Sequence, residues 1–508
     1  MNVMSTTQGY LLLITFGIIM IFITVWGSRS ERWRTQAGFL AANRSVPWFL
    51  GALSLAVTWI WAPALFVSVQ QAYQQGIPGI FWFTFPNILC LFIMAPLARR
   101  IRDYLPTGYT QPEWIRYRFD EKTHKMYLVP FFWYQLMAVT VQLYVGGNFV
   151  SLLTGIPVQA VMLILATIVI LYAVVSGMRA SIITDWMQYG LIFFGGLILL
   201  PWTIYNAGGW SAIAPGLGGV TGEFTNLFNG QVAFNFGIVT TIGLISGVLA
   251  DQSHWQRAFS IKKPQLMKAY IVSGILFGIV PIGLSLLGFI GANPAAAVSL
   301  PTGTDASMIG VLVVAKFLPA WAVGVFVVML LGGLCATLDS GLLSAGTLYA
   351  VNVSGYTDEE RKVLEKEHKK ESFTSEEQQI KTDLDRKTVR KSRVAMVVMT
   401  LAGLAVALGI IYIPGFGLKY LWWIFNTIAA CVAVPTVLSL YWNRLDSKGV
   451  FWGVLIAFIV GIPVFVYGNI VESALITVLG SVGIIAITTL FCVLFPRPVP
   501  FEVNRTIE

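Results

Sequence analysis

The sequence predicts an all-α protein embedded in a lipid bilayer, a single domain over residues 1–508 with about thirteen membrane-crossing helices. Two observations carry this. Mean hydropathy is +0.74, and only 11% of residues are charged, against about 25% in soluble domains. Of the 33 Lys and Arg, all except Lys316 and Lys419 fall in alternate connections between apolar stretches. Connections that stay in the cytoplasm hold positive charge. The pattern therefore fixes class, span number and orientation together, with the amino end outside and the carboxyl end inside a plasma (cell or inner) membrane.

A crossing of roughly 30 Å needs about 20 apolar residues. The stretches that supply them are 9–28, 47–71, 78–98, 126–152, 157–176, 179–204, 233–253, 266–291, 319–350, 394–413, 418–441, 449–467 and 473–495. The first has no basic residue before it and Arg29, Arg32 and Arg34 after it, the reverse of a cleaved signal peptide, so it reads as a retained helix. The connection 205–231 has seven Gly and no Lys or Arg, as an outer loop should. In the charged inner connection 354–393, Thr357 with Glu360 three residues on, and Asp358 and Glu359 between, predict a capped, solvated helix.

Other classes are disfavoured. The net charge of +9 is spread over all the inner connections, which suits the anionic inner leaflet and not nucleic acid. Cys90, Cys335, Cys431 and Cys492 lie in apolar stretches without metal-site spacing and read as packing. Three scattered His and the lack of an HExxH or phosphate-cradling loop argue against an enzyme.

Some spans break the rules of a lipid-facing helix. In the second, Thr58-Trp59-Ile60-Trp61-Ala62-Pro63 puts a proline at mid-depth, which frees carbonyls near Trp59. In the seventh, Gly243-Leu244-Ile245-Ser246-Gly247 is a second weak point. Interrupted spans five apart suggest two inverted five-helix repeats, 47–204 and 233–441, with solute and ion at the breaks. Simple kinking or close packing would leave the same residues. One helix precedes the repeats (9–28) and two follow (449–495).

Three acids fall inside spans: Asp185, Asp251 and Asp339. No Lys or Arg is expected at their depth, so each must hold a cation, take a proton or reach inner water. His254, beside Asp251, reads as a satisfied or water-facing residue. Thr337, Ser340 and Ser344 share one face of the ninth span beside Gly333 and Gly341, an oxygen-rich surface or a small-residue helix contact.

At these residues the chain resembles the solute:sodium symporter family. The resemblance covers about 450 residues through Thr58-Trp59 with Tyr73, Gly108-Tyr109-Thr110-Gln111-Pro112-Glu113, Leu153-Thr154-Gly155-Ile156-Pro157, Gly177-Met178-Arg179-Ala180-Ser181 with Thr184, Asp185 and Gln188, and Tyr441-Trp442-Asn443-Arg444 with Gly449. Thr58 to Ala62, Gly79 to Phe83 and Asp251 to Ala258 look most like the urea and polyamine symporter branch. The resemblance implies the leucine-transporter type of inverted-repeat fold. It also implies a sodium site of carbonyls near Val57 and Ile60, the backbone at Gly333, and Thr337. Where the family usually has a further hydroxyl, this chain has Ala336. Ser340 or Asp339 would then substitute, or the ion would be a proton. Asp185 matches an aspartate the family places near the ion exit path or a second ion site.

The expected function is cation-coupled symport of a small polar solute by alternating access, with Na+ (or H+) as coupling ion and no organic cofactor. The alternatives are a non-transporting solute sensor and a facilitative channel. Candidate solute contacts are Thr58, Trp59, Trp61, Tyr73 and Trp82 near the first break, Gln142 and Tyr144 in span four, Ser246 near the second break and Asn426 in span eleven. Aromatic faces with a few amides suit a neutral or cationic solute, urea first. The partners expected are that solute and the bilayer; oligomeric state is not legible.

Overall fold

The structure, a computed structural model, describes residues 3–27, 35–369, 371–413 and 417–502. The expected basic positions Arg29, Arg32, Arg34, Lys370 and Arg505 lie outside the described residues. Within them the regular secondary structure is helical, and the β-type pairing described is two isolated bridges. Eleven described helices are long and apolar enough to cross a membrane, which makes this an integral, multi-pass membrane protein.

The main elements, in order, are α1 (Thr6–Gly27), α2 (Trp48–Trp59), α3 (Val67–Tyr104), α4 (Glu121–Thr154), α5 (Val158–Ala173), α6 (Met178–Ala207), α7 (Ile238–Ala250), α8 (Gln252–Ser260), α9 (Leu266–Ala292), α10 (Ala320–Leu348), α11 (Ser375–Ile410), α12 (Leu418–Tyr441), α13 (Ser447–Ile456, continuing to Ile470) and α14 (Ala474–Leu494). The thirteen expected spans all coincide with helix. Spans two and three are joined across Gly76, whose φ of 58° and ψ of −145° suit only glycine. There the connection after α6 docks, with Ile77 N donating to Leu217 O and Val220 N to Tyr73 O.

Burial sorts the helices. In the most apolar window of α10, 83% of residues are buried within the protein, against 33% for α1, so α10 runs through the core and α1 along the lipid side. A helix whose whole circumference meets other helices needs small residues for close approach. In α10 Gly333 abuts Leu65 and Gly341 abuts Ala138.

The first interruption is where proline placed it. α2 ends at Trp59, Ile60 (φ −79°, ψ 70°) and Trp61 (φ −73°, ψ 168°) are non-helical, and Pro63 lies in the single turn Ala62–Leu65. The second is displaced from expectation. The helix passes unbroken through Gly243 to Gly247 and stops at Asp251 (φ −80°, ψ 101°), which separates α7 from α8. The Asp251 carboxylate accepts the Ser253 N–H at 2.9 Å, capping α8. A capping acid stops a helix more firmly than glycines that neighbouring helices pack against. The two breaks meet, with the Trp59 and His254 rings edge to face at 5.0 Å.

Between spans nine and ten, Thr357 and Glu360 form the expected capping box on helix Asp358–His368. Lys387 on α11 pairs with Glu360 at 2.7 Å. Burial alone would raise the Glu360 carboxyl, but Lys387 and the Thr357 N–H outweigh it and hold the group below its usual range. α11 also reaches the segment before α2, where Asp385 accepts the Gln36 N–H at 2.8 Å.

Candidate functional site

At the first break, backbone oxygens are released as the missing helical bonds require. Thr337 Oγ1, from α10, lies 3.3 Å from both the Thr58 and the Ile60 carbonyl oxygens. Three neutral oxygens thus converge at one buried point, the donor type a small hard cation binds. The Val57 carbonyl instead accepts the Ile60 N–H at 3.0 Å. Gly333 lies against Leu65 and Ile60, and Ala336 is fully buried and adds no oxygen. Gln142 Oε1 accepts the Ala62 N–H at 2.9 Å, holding the chain where it restarts as helix.

Ser340, one turn along α10, sits between this oxygen cluster and the acids. Its hydroxyl is 3.2 Å from Thr58 Oγ1 and 3.2 Å from Asp339 Oδ1. Ser344, the third hydroxyl of that face, bonds Gln256 Oε1 at 3.0 Å.

The acids are not the unpaired groups the sequence suggested. Asp185 is paired with Arg257, with Nη2 to Oδ2 at 2.7 Å and both side chains buried. Arg257 looked like a loop residue because inner connections are basic; it lies instead on α8, inside the bundle. Asp251 has His254 Nδ1 at 3.1 Å, Ser253 Oγ at 2.5 Å and Gln135 Nε2 at 3.2 Å. Among the described residues, Asp339 meets hydroxyls alone, Thr184 at 3.2 Å, Ser181 at 3.4 Å and Ser340.

Beside the first break is a cavity lined by Trp59, Trp61, Pro63, Ala64, Phe83, Asn87, Tyr134, Leu244 and Trp422. The empty space around its side chains is about 250 Å³, part of it open to the outside. The enclosed part has room for roughly one water molecule, so any larger solute requires its walls to move apart. Trp61 stacks on Phe425 at 5.2 Å and tilts on Tyr134 at 5.1 Å, so its plane is fixed. Its indole N–H is buried with no acceptor among the described residues. Asn87 spends its amide N–H on the Phe83 carbonyl at 2.7 Å, which leaves its side-chain oxygen free to accept. Tyr134 donates to Asn426 Oδ1 at 3.2 Å, leaving its own oxygen as a second acceptor.

Of the candidate solute residues, Trp59 and Trp61 line this cavity. Asn426 and Gln142 stand behind it, and Thr58 turns toward Ser340. Tyr73, Trp82, Tyr144 and Ser246 are not on its wall. The Tyr73 carbonyl holds the connection after α6, and Trp82 packs against Gly237. The sequence reading missed Phe83, Asn87, Tyr134, Leu244 and Trp422. Asn87, a lone amide in an apolar span just after Pro86, was the one available signal.

A larger crevice of about 670 Å³ lies between α6 and α9. Apolar residues from Ile192 to Met329 line it, so it offers a polar solute nothing.

A family model described as the sodium:solute symporter family matches residues 39–376 and 377–457. Among curated proteins, the chain is 24% identical over 313 residues to a probable urea active transporter 1 of Schizosaccharomyces pombe, covering 56% of this chain and 46% of that one. It is 21% identical over 503 residues to the urea-proton symporter DUR3 of Oryza sativa subsp. japonica, covering 91% and 66%. To sodium/glucose cotransporter 1 of Ovis aries it is 22% identical over 511 residues, covering 90% and 72%. The chain thus spans about half to two thirds of the length of these two urea-named relatives. Among solved structures, it resembles a Na+-coupled sialic acid symporter in a substrate-bound outward-open state, with TM-score 0.73, 16% identity and coverage of 97% and 98%. A nucleobase-cation-symport-1 family transporter in a closed conformation gives TM-score 0.55 at 13% identity, covering 92% and 97%. These likenesses give the fold, the leucine-transporter type with interrupted helices at its centre.

Proposed function

The chain belongs to the sodium:solute symporter family, and from that premise we propose that it is a secondary active transporter that couples a monovalent cation to the uptake of a small uncharged polar solute, urea. The amino end is outside and the carboxyl end cytoplasmic, as the alternate basic connections require. Residues 47–204 and 233–441 are the two repeats, with solute and ion held where their first helices break.

The observation that carries this reading is adjacency. The same interrupted turn, Thr58 to Pro63, supplies carbonyls to the Thr337 cluster on one side and Trp59 and Trp61 to the cavity on the other. An ion and a solute bound there share one piece of backbone, so each favours the same arrangement of α2. That differential affinity is what couples two ligands, typically by 1–3 kcal/mol.

Urea fits the cavity's chemistry. Its carbonyl accepts from the unpartnered Trp61 N–H, its amino groups donate to Asn87 and Tyr134, and its flat faces lie against the rings. Relatives named for urea support the same solute. Sodium is the coupling ion on this reading, bound by Thr58 O, Ile60 O and Thr337 Oγ1, with Ser340 nearest at hand. One residue favours a second reading, coupling to protons: Ala336 offers no hydroxyl where a further sodium ligand would lie.

Competition against urea uptake tests the solute. Formamide, acetamide and thiourea should compete, while glucose, carboxylates and polyamines should not. Strong competition by a carboxylate or a hexose contradicts the cavity assignment.

A further inference from the structure

A cleft of about 1020 Å³, open to the outside, lies where α3 and α12 end. Its wall holds two guanidiniums, Arg100 and Arg118, an acid, Glu502, and the rings of Tyr104, Tyr441 and Phe501. None of these residues belongs to the solute cavity or to the oxygen cluster at the first break.

One turn and one tail shape the cleft. Arg118, in the short helix Gln111–Arg118 between α3 and α4, is 3% exposed. Its Nη2 donates to the carbonyls of Trp442 at 3.3 Å, Asn443 at 3.0 Å and Leu445 at 3.0 Å, which pins the turn after α12. The segment after α14 lies along that turn, with Leu445 and Pro496 bridged and Phe501 N donating to Asn443 O at 2.9 Å. This brings the centre of the Phe501 ring to 4.2 Å from the Arg118 guanidinium. From α3, Arg100 lies against Tyr104 and Tyr441, 4.9 Å and 5.2 Å from their ring centres, and its Nε donates to Leu440 O at 3.2 Å.

Both cations are thus positioned by rings and carbonyls, and both have donors left over. For Arg100 Nη1 and Nη2 the described residues provide no acceptor. Arg118 Nη1 is buried and has none either. Carbonyls at the ends of two helices would by themselves repel an anion, but here the guanidiniums cover them. Burial, then the neighbouring Arg497, push the Arg118 guanidinium down to about 10, and Asp446 opposes this only in part. Arg118 therefore stays charged at neutral pH. Guanidiniums with spare donors match the oxygens of a phosphate. Glu502 is exposed, so water screens it. It lowers the affinity for an anion without neutralising either guanidinium.

The place of the cleft points to the source of that phosphate. Arg100 and Tyr441 stand at the ends of spans three and eleven, at the level of the headgroups, and Tyr441 is 50% exposed. α14, which leads into the tail, exposes Leu490, Val493 and Leu494 in its last turns, a surface suited to acyl chains. We propose that the cleft binds the phosphate headgroup of an anionic phospholipid of the inner leaflet, the inner placement being that of the orientation given above.

Native mass spectrometry of the purified, delipidated full chain tests this, and reads lipid binding without urea or an ion gradient, so its result stands apart from that of the transport experiments. Phosphatidylglycerol and phosphatidylcholine are added at equal concentration. Wild-type protein should hold phosphatidylglycerol about tenfold more tightly, the scale of one or two basic side chains at a headgroup. Arg100→Gln, which leaves the turn held by Arg118 intact, should bring the two lipids close to parity, while Arg100→Lys should retain part of the preference. Glu502→Gln, at an exposed position, should raise it. Lys362→Gln removes a charge from an exposed position of helix Asp358–His368 and should leave the preference whole. Equal binding of the two lipids by the wild type overturns the proposal, as does a preference that Arg100→Gln leaves unchanged or that Lys362→Gln lowers as much. If Arg100→Gln is not recovered folded, Glu502→Gln decides, and an unchanged preference there overturns the proposal. Displacement of the bound lipid by millimolar inorganic phosphate would overturn the lipid as the source and assign the cleft to a soluble phosphate.

Discussion

Arg257 Nη2 and Asp185 Oδ2 stand 2.7 Å apart, although 72 residues separate them in the chain, and neither side chain is more than 1% exposed. Removing one partner of a buried pair strands the other's charge, at a cost of about 3–5 kcal/mol, whereas neutralising both together is far milder. Arg257→Met and Asp185→Asn should each lower thermal stability in detergent markedly. The double variant should recover most of it. Equal losses in all three would mean the pair is not coupled.

On the proposed function, Trp61 and Asn87 contact the solute. Asn87→Ala removes the free acceptor and should raise the urea concentration for half-maximal uptake about tenfold, equivalent to about 1.4 kcal/mol. Trp61→Phe retains the stacking on Phe425 but deletes the indole N–H, and should weaken urea by a similar factor with little loss of folded protein. Concentration dependence of initial uptake rates checks both. An unchanged Asn87→Ala protein would remove the cavity from the transport path.

The oxygen cluster at the first break gives paired expectations of opposite sign. Thr337→Ala withdraws the hydroxyl that spans the Thr58 and Ile60 carbonyls, and the sodium concentration needed for half-maximal uptake should rise by roughly tenfold, about 1–2 kcal/mol of ion binding. Ala336→Ser supplies one more oxygen beside it and should lower that concentration. Sodium titration of urea uptake reads both changes. If sodium dependence is absent throughout and a pH gradient drives uptake, the coupling ion is the proton.

The helix pair between spans nine and ten should respond to acid. Since Glu360 titrates below its usual range in the folded protein, its bond to Lys387 contributes stability above the unfolded carboxyl value and loses it as pH falls through the folded one. Amide exchange in Asp358–His368, corrected for intrinsic rates, should therefore speed up as pH drops from about 5 to about 3. Lys387→Met should weaken that acid response, leaving the part due to the Thr357 N–H. A pH-independent exchange rate would show that this bond does not hold the helix.

Much of this architecture was legible in the amino-acid order, and the gaps have physical causes. The positions of the helices followed from hydropathy, a property of each stretch by itself; eleven of them are long enough to cross, and the stretches at 47–71 and 157–176 hold shorter helices, Trp48–Trp59 and Val158–Ala173. The first break was legible because proline acts locally, through its missing N–H and its ring. The second was misplaced because Gly243 and Gly247 looked like flexible points, whereas Asn426 and Tyr134 pack against Gly247 and keep that turn helical. The true stop was also written locally, in an aspartate able to cap α8, but an acid inside a span drew attention as an ion ligand first. Arg257 was assigned to a loop because the charge rule counts residues without regard to partners, and its partner Asp185 is remote in sequence. The cavity wall was the least legible part. Phe83, Asn87, Tyr134, Leu244 and Trp422 come from four separate helices, and only their packing reveals which aromatics face each other and which face lipid.

The most direct measurement of the central claim is urea accumulation in sealed proteoliposomes containing the purified protein. A cation gradient directed inward should drive radiolabelled urea above its external concentration, and collapsing the gradient with an ionophore should release it. Urea that only equilibrates, at the same rate with and without any gradient, would contradict coupling and leave a passive path through the same fold.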